Sequence, residues 1–177
     1  MSTLEAPKDN SISKFVAACA QRIALPKGAL VLDIPCGFGR HAHWFAQNHY
    51  RVVGADHDRA RIAAATENAP SSPYAIRWIV ADIEQRLPIE RGTFDLVVIV
   101  HYFSETVISQ ALEALRPGGW LILETFGGQG KHLMALLPLG WAAGRFCNAF
   151  QVSVLEERAV GPSKSNAAVR LMAKYRN

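Results

Sequence analysis

Apolar residues in this chain fall into short runs that alternate with segments of helical spacing. A short run without internal polar positions indicates a strand covered on both faces, because a half-exposed strand would show every second position polar. The runs predict five strands, at residues 29–32, 50–55, 75–80, 94–100 and 120–124. The segments between them predict three helices, at residues 40–48, 59–68 and 104–115. Strands and helices that alternate in this way indicate an α/β protein.

The flanking segments differ from this pattern. Residues 1–10 are polar and are predicted to be disordered. A helix is predicted over residues 11–25, capped by Ser11 or Ser13, because an apolar stripe follows these hydroxyls. After a less regular segment, two further strands are predicted at residues 150–157 and 167–175, joined by a hairpin loop. We therefore expect a single domain over residues 1–177.

A glycine-containing bend follows the first predicted strand, in the phrase Val-Leu-Asp-Ile-Pro-Cys-Gly-Phe-Gly. Gly37 and Gly39 let the backbone turn sharply and leave room for a ligand where a Cβ would intrude. The first N–H groups of the helix that follows point back toward whatever lies over the glycines. Residues 37–42 also satisfy G-x-G-x-x-A, the fingerprint of dinucleotide-binding folds. The bend therefore predicts a nucleotide-type site, and an NAD(P)-binding oxidoreductase is one interpretation of it.

Asp33 stands at the end of the first strand, just before this bend. A dinucleotide site uses the helix start to bind a diphosphate, and a carboxylate beside that anion is unfavourable. A cationic ligand reverses this preference. S-adenosylmethionine carries a sulfonium, an ammonium and a ribose, and it has no phosphate, so Asp33 favours this ligand over a dinucleotide.

At this point the chain resembles the class I S-adenosylmethionine-dependent methyltransferases, whose first motif is a hydrophobic pair, an acid and a G-x-G-x-G-like loop. One departure is Pro35, which replaces the usual first glycine and stiffens the loop entry. The opening Phe-Asp-Leu-Val-Val of the fourth strand is also typical of the family, and we expect its Asp95 to anchor structure. Leu-Arg-Pro-Gly-Gly-Trp-Leu-Ile-Leu, at residues 115–123, matches the family's turn into the fifth strand, in which two glycines permit positive φ. Residues 169–174 are similar to the small bacterial methyltransferases of the tellurite-resistance type.

The resemblance implies a fold. It predicts a Rossmann-like three-layer sandwich with a seven-stranded, mostly parallel sheet in the order 3-2-1-4-5-7-6 and strand 7 antiparallel. It also makes residues 127–149 a variable segment on the substrate side, where Trp141 and Phe146 either wall the methyl acceptor or pack in the core. The glycine-rich residues 125–130 are predicted to form a mobile loop over the site.

Three strand ends supply the predicted cofactor site. Asp56 follows Gly39 by 17 positions, near the ~20-residue spacing at which a strand-end acid meets ribose hydroxyls. The nearby Asp58 is predicted to cap the next helix. The resemblance implies that Asp82 receives the adenine amine and that the Ile83 backbone contacts the ring edge. The full set of predicted cofactor-binding residues is Asp33, Pro35, Cys36, Gly37, Gly39, Asp56, His57, Asp82, Ile83 and His101.

His101 and Tyr102 are the predicted catalytic residues, since they follow the carboxyl end of the fourth strand, where α/β sheets bind ligands. Methyl transfer from a sulfonium is an in-line displacement with an excellent leaving group, so the protein contributes mainly by positioning the acceptor. A general base matters only when the acceptor must lose a proton, and His101, Tyr102 and His132 are the candidates. S-adenosylhomocysteine is the expected product.

Length, composition and charge narrow the class of protein and its expected partners. With 177 residues, 50% of them apolar, the chain is long enough for one core. The net charge of +4 comes from scattered Lys and Arg without a dense basic run, so nucleic acid is not the expected partner. The sequence shows neither a metal-ligand pattern nor a membrane span, and its three cysteines are far apart. We expect a cytoplasmic enzyme, monomeric or homodimeric, that acts on a small-molecule acceptor; a catalytically silent cofactor-binding module is the other alternative.

Overall fold

A computed structural model describes residues 11–125, 137–161 and 163–176. The helices are α1 (Lys14–Ile23), α2 (Arg40–Gln47), α3 (Arg59–Glu67), α4 (Glu105–Ala114) and α5 (Trp141–Phe146). The strands are β1 (Leu30–Asp33), β2 (Arg51–Asp56), β3 (Arg77–Val80), β4 (Phe94–Val100), β5 (Leu115–Glu124), β6 (Leu137–Pro138), β7 (Phe150–Val160) and β8 (Asn166–Tyr175). The predictions for residues 1–10, for 126–130 of the proposed mobile loop and for His132 lie outside the described residues.

The strands form one sheet in the order β3-β2-β1-β4-β5-β8, with β7 on the far edge of β8. Strands β1 to β5 run parallel, and β8 lies antiparallel to both β5 and β7. The predicted order is therefore confirmed, with β7 and β8 as the predicted sixth and seventh strands. The two-residue strand β6 was not predicted; it pairs with Ala167 and Asn166, on the same edge of β8 as β5 but beyond the residues that pair with β5.

Helices cover both faces of this sheet, which confirms the three layers. On one face, α1 and α2 bury residues such as Val16 and Phe45 against the sheet. On the other face, α4 and α5 bury residues such as Ile108 and Phe146. A sheet covered on both sides explains why its parallel strands are continuous apolar runs in the sequence. The longest described helices, α1 and α4, have ten residues each, and none in the described ranges could cross a membrane.

The entry to β5 differs from the predicted turn in one respect. Phe94 pairs with Leu115 and Leu96 with Trp120, so residues 116–119 bulge out of the ladder. Gly118 has a φ of 74°, as expected, but Gly119 does not take a positive φ. A Cβ at Gly119 would lie 2.9 Å from the carbonyl oxygens of Arg116 and Phe94, so this glycine is required for space. One glycine serves the turn and the other permits close backbone contact.

Capping and anchoring side chains lie where the sequence predicts them. Ser13 caps α1 by accepting hydrogen bonds from the Phe15 and Val16 amides, and Asp58 caps α3 in the same way. Asp95 accepts from the Leu30 amide (2.7 Å) and pairs with Arg116 (2.5 Å). Asp95 thus joins β4 to β1 and to the bulge near the start of β5, which confirms its structural role.

The segment before β7 forms α5, which the sequence pattern did not predict. Phe146 is fully buried and packs edge-to-face on Trp141 and Phe150. It therefore belongs to the core and does not wall a ligand site. Trp141 is partly exposed; its indole N–H donates to Glu105 (3.1 Å) and its ring packs on Phe103.

Trp78 fills the space above two glycines. A Cβ at Gly39 would lie 2.7 Å from the Trp78 ring, and one at Gly54 would lie 2.5 Å from it. Gly39 also has a φ of 78°, whereas Gly37 has a φ of 54° and open space where its Cβ would be. The two glycines of the bend therefore have different functions: Gly39 admits the Trp78 ring, and Gly37 borders open space.

We expect Gly39→Ala to lower the free energy of unfolding by at least about 2 kcal/mol, since the left-handed backbone alone costs about 1–2 kcal/mol and the Cβ also contacts Trp78. Gly37→Ala is the matched control, because it carries the same backbone cost of about 1–2 kcal/mol without the contact to Trp78. Urea unfolding followed by circular dichroism measures both. Equal losses for the two variants would contradict the assignment of the Trp78 contact.

Candidate cofactor-binding site

A cavity of about 550 Å³ opens at the carboxyl ends of β1, β2 and β4. It brings together six of the predicted cofactor-binding residues: Pro35, Cys36, Gly37, Asp56, His57 and His101. Tyr102 lines it as well. The carboxyl ends of the strands are the edge at which parallel α/β sheets bind ligands. Another cavity, of about 440 Å³ beside Arg51 and Arg77, lies at the opposite, amino ends of the strands. The first cavity is therefore the candidate site.

A second cavity, of about 470 Å³, adjoins the first and contains the predicted adenine site. Asp82 and Ile83 line it, and His57 and Tyr102 line both cavities. Eight of the ten predicted cofactor-binding residues therefore lie along one continuous cleft. The exceptions are Asp33 and Gly39, which line neither cavity.

Asp56 is the buried carboxylate of this cleft, with only 1% of its surface exposed. Its Oδ2 accepts from the Gly37 amide (2.8 Å), and its Oδ1 accepts from the Asp58 amide (2.9 Å). His57 Nδ1 lies 3.3 Å from the same Oδ1. A carboxylate has about four lone-pair sites, so these three contacts leave at least one to accept from a ligand hydroxyl. Asp56 thus fixes the bend while remaining able to bind hydroxyls.

Asp33 is fully buried and accepts from the Ala42 amide at Oδ2 (3.0 Å). Among the described residues, its Oδ1 has no hydrogen-bond partner. Burial raises the pKa of this carboxyl from 3.8 to about 7, against the opposing effects of the Ala42 amide and the Arg40 charge. In this structure Asp33 joins the first turn of α2 to β1, and its predicted contact with the methionine end of the cofactor stays a prediction.

Comparison with known proteins identifies the family of this fold. A family model described as a methyltransferase domain matches residues 31–119, half of the chain. The chain belongs to the methyltransferase-domain family. It is of the class I type, which uses S-adenosylmethionine as cofactor. The matched residues include both the glycine bend and the bulge near the start of β5.

Individual relatives agree with this family. An uncharacterised methyltransferase of Synechocystis is 32% identical over 106 residues, which are 56% of this chain and 48% of that protein. Among solved structures, the [4+2]-cyclase SpnF superposes with a TM-score of 0.72 at 18% identity over 92% of this chain and 80% of that chain. TehB from Haemophilus influenzae gives 0.71 at 17% identity over 93% of this chain and 63% of that one. The chain spans about half the length of the curated relatives it matches.

Glu84 lines the second cavity and was not predicted from the sequence. Its two carboxylate oxygens accept hydrogen bonds from the Tyr102 hydroxyl and from Ser104 Oγ, the latter at 2.6 Å. Burial, and then Glu84 itself, raise the pKa of the Tyr102 phenol. Tyr102 therefore keeps its proton at neutral pH and donates a hydrogen bond to Glu84. No local signal in the sequence marks Glu84, because the contact joins the loops after β3 and β4.

Arg40 was also missed, although its position at the start of α2 is a usable signal. One guanidinium nitrogen lies 3.4 Å from His101 Nδ1, and another donates to the Ser11 carbonyl (3.3 Å). The next residue, His41, is buried, and burial followed by the nearby Arg40 charge lowers its pKa to about 3. His41 is therefore neutral and can accept from the Ser13 amide at 3.4 Å.

The raised pKa of Asp33 predicts a pH-dependent stability. Between pH 3.8 and about pH 7, Asp33 retains a proton in the folded state that it releases in the unfolded state. The stability that this bound proton contributes is therefore lost as the pH rises through this range to about 7. The variant Asp33→Asn keeps an acceptor for the Ala42 amide but has no titrating carboxyl. We expect its free energy of unfolding, relative to that of wild type, to rise by at least about 1 kcal/mol between pH 5 and pH 8.

Urea unfolding at both pH values measures this difference. Asp58→Asn is the matched control, because asparagine caps a helix as well as aspartate does. The same pH dependence in wild type and in Asp33→Asn would contradict the assignment.

Proposed function

We propose that this domain transfers the methyl group of S-adenosylmethionine to a small-molecule acceptor by in-line displacement. The observation that carries the proposal is the placement of Asp56, a buried carboxylate beside His57 where two cavities meet. In the proposed arrangement Asp56 accepts from the ribose hydroxyls, while Asp82 and the backbone of Ile83 bind the adenine. The methionine part then extends toward Gly37 and the start of α2.

The glycine bend fits such a cofactor. A side chain at Gly37 would enter the open space of the cavity, so the absence of a Cβ lets a ligand approach the backbone closely. The two cavities, about 550 and 470 Å³, are within the range of sites for ligands of this size. When bound, the cofactor supplies an electrophilic methyl group and a neutral thioether leaving group. The protein then has to hold the acceptor in line with the breaking bond.

We infer a small-molecule acceptor from the surroundings of the cleft. A third cavity, of about 320 Å³, adjoins the cofactor cleft through His101, and this volume suits a small molecule. The scattered basic residues of the sequence do not form a track for nucleic acid. The likeness to TehB, at 17% sequence identity, extends to the fold alone and identifies no acceptor.

We expect Asp56→Ala to weaken S-adenosylhomocysteine binding by more than tenfold, about 1.4 kcal/mol, because the ribose hydroxyls lose their acceptor. Isothermal titration calorimetry measures the affinity. Asp58→Ala is the matched control, since Asp58 caps α3 and lines neither cavity. Unchanged affinity in Asp56→Ala would overturn the ribose assignment.

A two-step experiment tests the function as a whole. A thermal-shift comparison of S-adenosylhomocysteine with NAD separates the methyltransferase from the oxidoreductase interpretation, which the comparisons do not support. Transfer of a labelled methyl group to a broad panel of small molecules then tests turnover. Tight S-adenosylhomocysteine binding without transfer to any acceptor would favour a silent cofactor-binding module over the proposed enzyme.

A further inference from the structure

Tyr102 lies where the two cavities of the cofactor cleft meet. Its side chain is partly buried and packs on the apolar core, and of the described residues only Tyr102 and His57 line both cavities. Tyr102 does not line the third cavity, whose volume suits a small-molecule acceptor. In the proposed arrangement the ribose and the adenine meet at the junction of the first two cavities. Tyr102 is therefore placed beside the nucleoside part of the cofactor and not beside the acceptor.

The carboxylate of Glu84 holds the hydroxyl of this side chain. The Tyr102 hydroxyl donates to Glu84 Oε1, and Ser104 Oγ donates to Glu84 Oε2 at 2.6 Å. Ser104 is the N-cap of α4 and accepts from the Val107 amide at 3.4 Å, so the helix fixes its position. Glu84 thus connects the loop after β3 with the loop after β4 and with the start of α4.

Glu84 also supports the acid proposed for the adenine. Its amide donates to Asp82 Oδ1 at 3.0 Å, and Gln85 Nε2 donates to Asp82 Oδ2 at 3.1 Å. The backbone of Glu84 is therefore joined to Asp82, and its side chain is joined to Tyr102. Because one residue contacts both, it sets the position of the Tyr102 ring relative to the carboxylate that is expected to bind the adenine amine.

The environment of the Tyr102 phenol does not suit a general base. Burial, then Glu84, and then the charges of Asp82 and Asp56 raise the pKa of this phenol, so it is neutral at physiological pH. A neutral phenol is too weakly basic to take a proton from a methyl acceptor, and its own proton is directed to Glu84. The influence of Asp82 and Asp56 also indicates that Tyr102 lies near both acids of the proposed nucleoside site.

We propose that Tyr102 binds the nucleoside part of the cofactor through its ring, and that Glu84 is the positioning residue that holds the ring there. This inference rests on the proposed function. An aromatic side chain suits this part of the cofactor, because nucleobases stack on aromatic rings. Tyr102 then takes no part in proton transfer, which changes the role that the sequence predicts for it.

A double-mutant cycle on the full chain, with calorimetry of S-adenosylhomocysteine binding, tests the pair. Tyr102→Phe removes the hydroxyl and keeps the ring, and Glu84→Ala removes the acceptor. We expect each variant to weaken binding about threefold to tenfold, the range for one lost hydrogen bond, and the double variant to bind no more weakly than the weaker single variant. Unchanged affinity in either single variant, or losses that multiply in the double variant, would overturn the proposal.

Two further variants separate the hydrogen bond from the ring. Glu84→Gln retains an oxygen that can accept from the Tyr102 hydroxyl and should bind within about twofold of wild type. Tyr102→Ala also removes the ring and should bind at least about threefold more weakly than Tyr102→Phe, because stacking is lost. A Gln variant as weak as Glu84→Ala would contradict the positioning role. Equal affinities of Tyr102→Ala and Tyr102→Phe would exclude a contact between the ring and the cofactor.

The probe 5′-methylthioadenosine keeps the adenine and the ribose and lacks the amino-acid part, so it tests which half of the cofactor Tyr102 contacts. Tyr102→Phe should weaken its binding by the same factor as that of S-adenosylhomocysteine. A loss confined to S-adenosylhomocysteine would place Tyr102 beside the methionine part and overturn the proposal. The matched controls are Tyr74→Phe, at the amino ends of the strands, and Glu67→Ala, at the end of α3. Both should leave the affinities unchanged, and circular dichroism confirms that every variant folds.

Steady-state kinetics with an acceptor from the labelled-methyl panel gives a second readout. Tyr102→Phe should raise KM for S-adenosylmethionine about threefold to tenfold and change kcat by less than about twofold, as expected for a residue that only binds. A fall in kcat with unchanged KM, about 100-fold for a lost general base, would overturn the proposal. Wild-type protein that does not bind S-adenosylhomocysteine would overturn the proposed function as well, whereas wild-type binding with a failed cycle overturns this inference alone.

Discussion

The hydrogen bond from the Gly37 amide to the Asp56 carboxylate is the interaction on which the candidate site depends. It joins the glycine bend after β1 to the end of β2, and Asp56 is held in turn by the Asp58 amide. One side chain therefore sets the shape of the bend and places a carboxylate in the cleft.

Two neighbouring acids differ in their environments. Asp56 accepts from amides through both oxygens and lines the cleft, whereas Asp33 is fully buried and accepts through one. The result is a division of roles at adjacent strand ends. The sequence predicts that acids at three strand ends surround a cationic ligand, and of these Asp56 and Asp82 line the cleft. Asp33 contributes through the backbone of α2.

The sequence predicts the parallel part of the sheet well because each of its elements carries a local signal. Buried strands appear in the sequence as apolar runs, and Ser13 and Asp58 are typical cap residues. The bulge near the start of β5 is encoded by a distinctive sequence motif at residues 115–123. Helix α5 lacks such a signal, since its six residues are held by aromatic packing of Trp141 and Phe146. Glu84 was missed because its contacts join segments that are distant in sequence. Arg40 lies at a recognisable helix start, but its contact with His101 likewise forms only in the folded chain.

The position of β8 between β5 and β7 has a consequence for the order in which the sheet assembles. Among the described residues, β7 reaches the sheet only by pairing with β8, although β7 precedes it in the chain. The two form a local hairpin, which closes faster than a distant pairing. Strand β7 can therefore join the sheet only together with β8 or after it, and until β8 docks, the outer edge of β5 is an open strand that another chain could pair with.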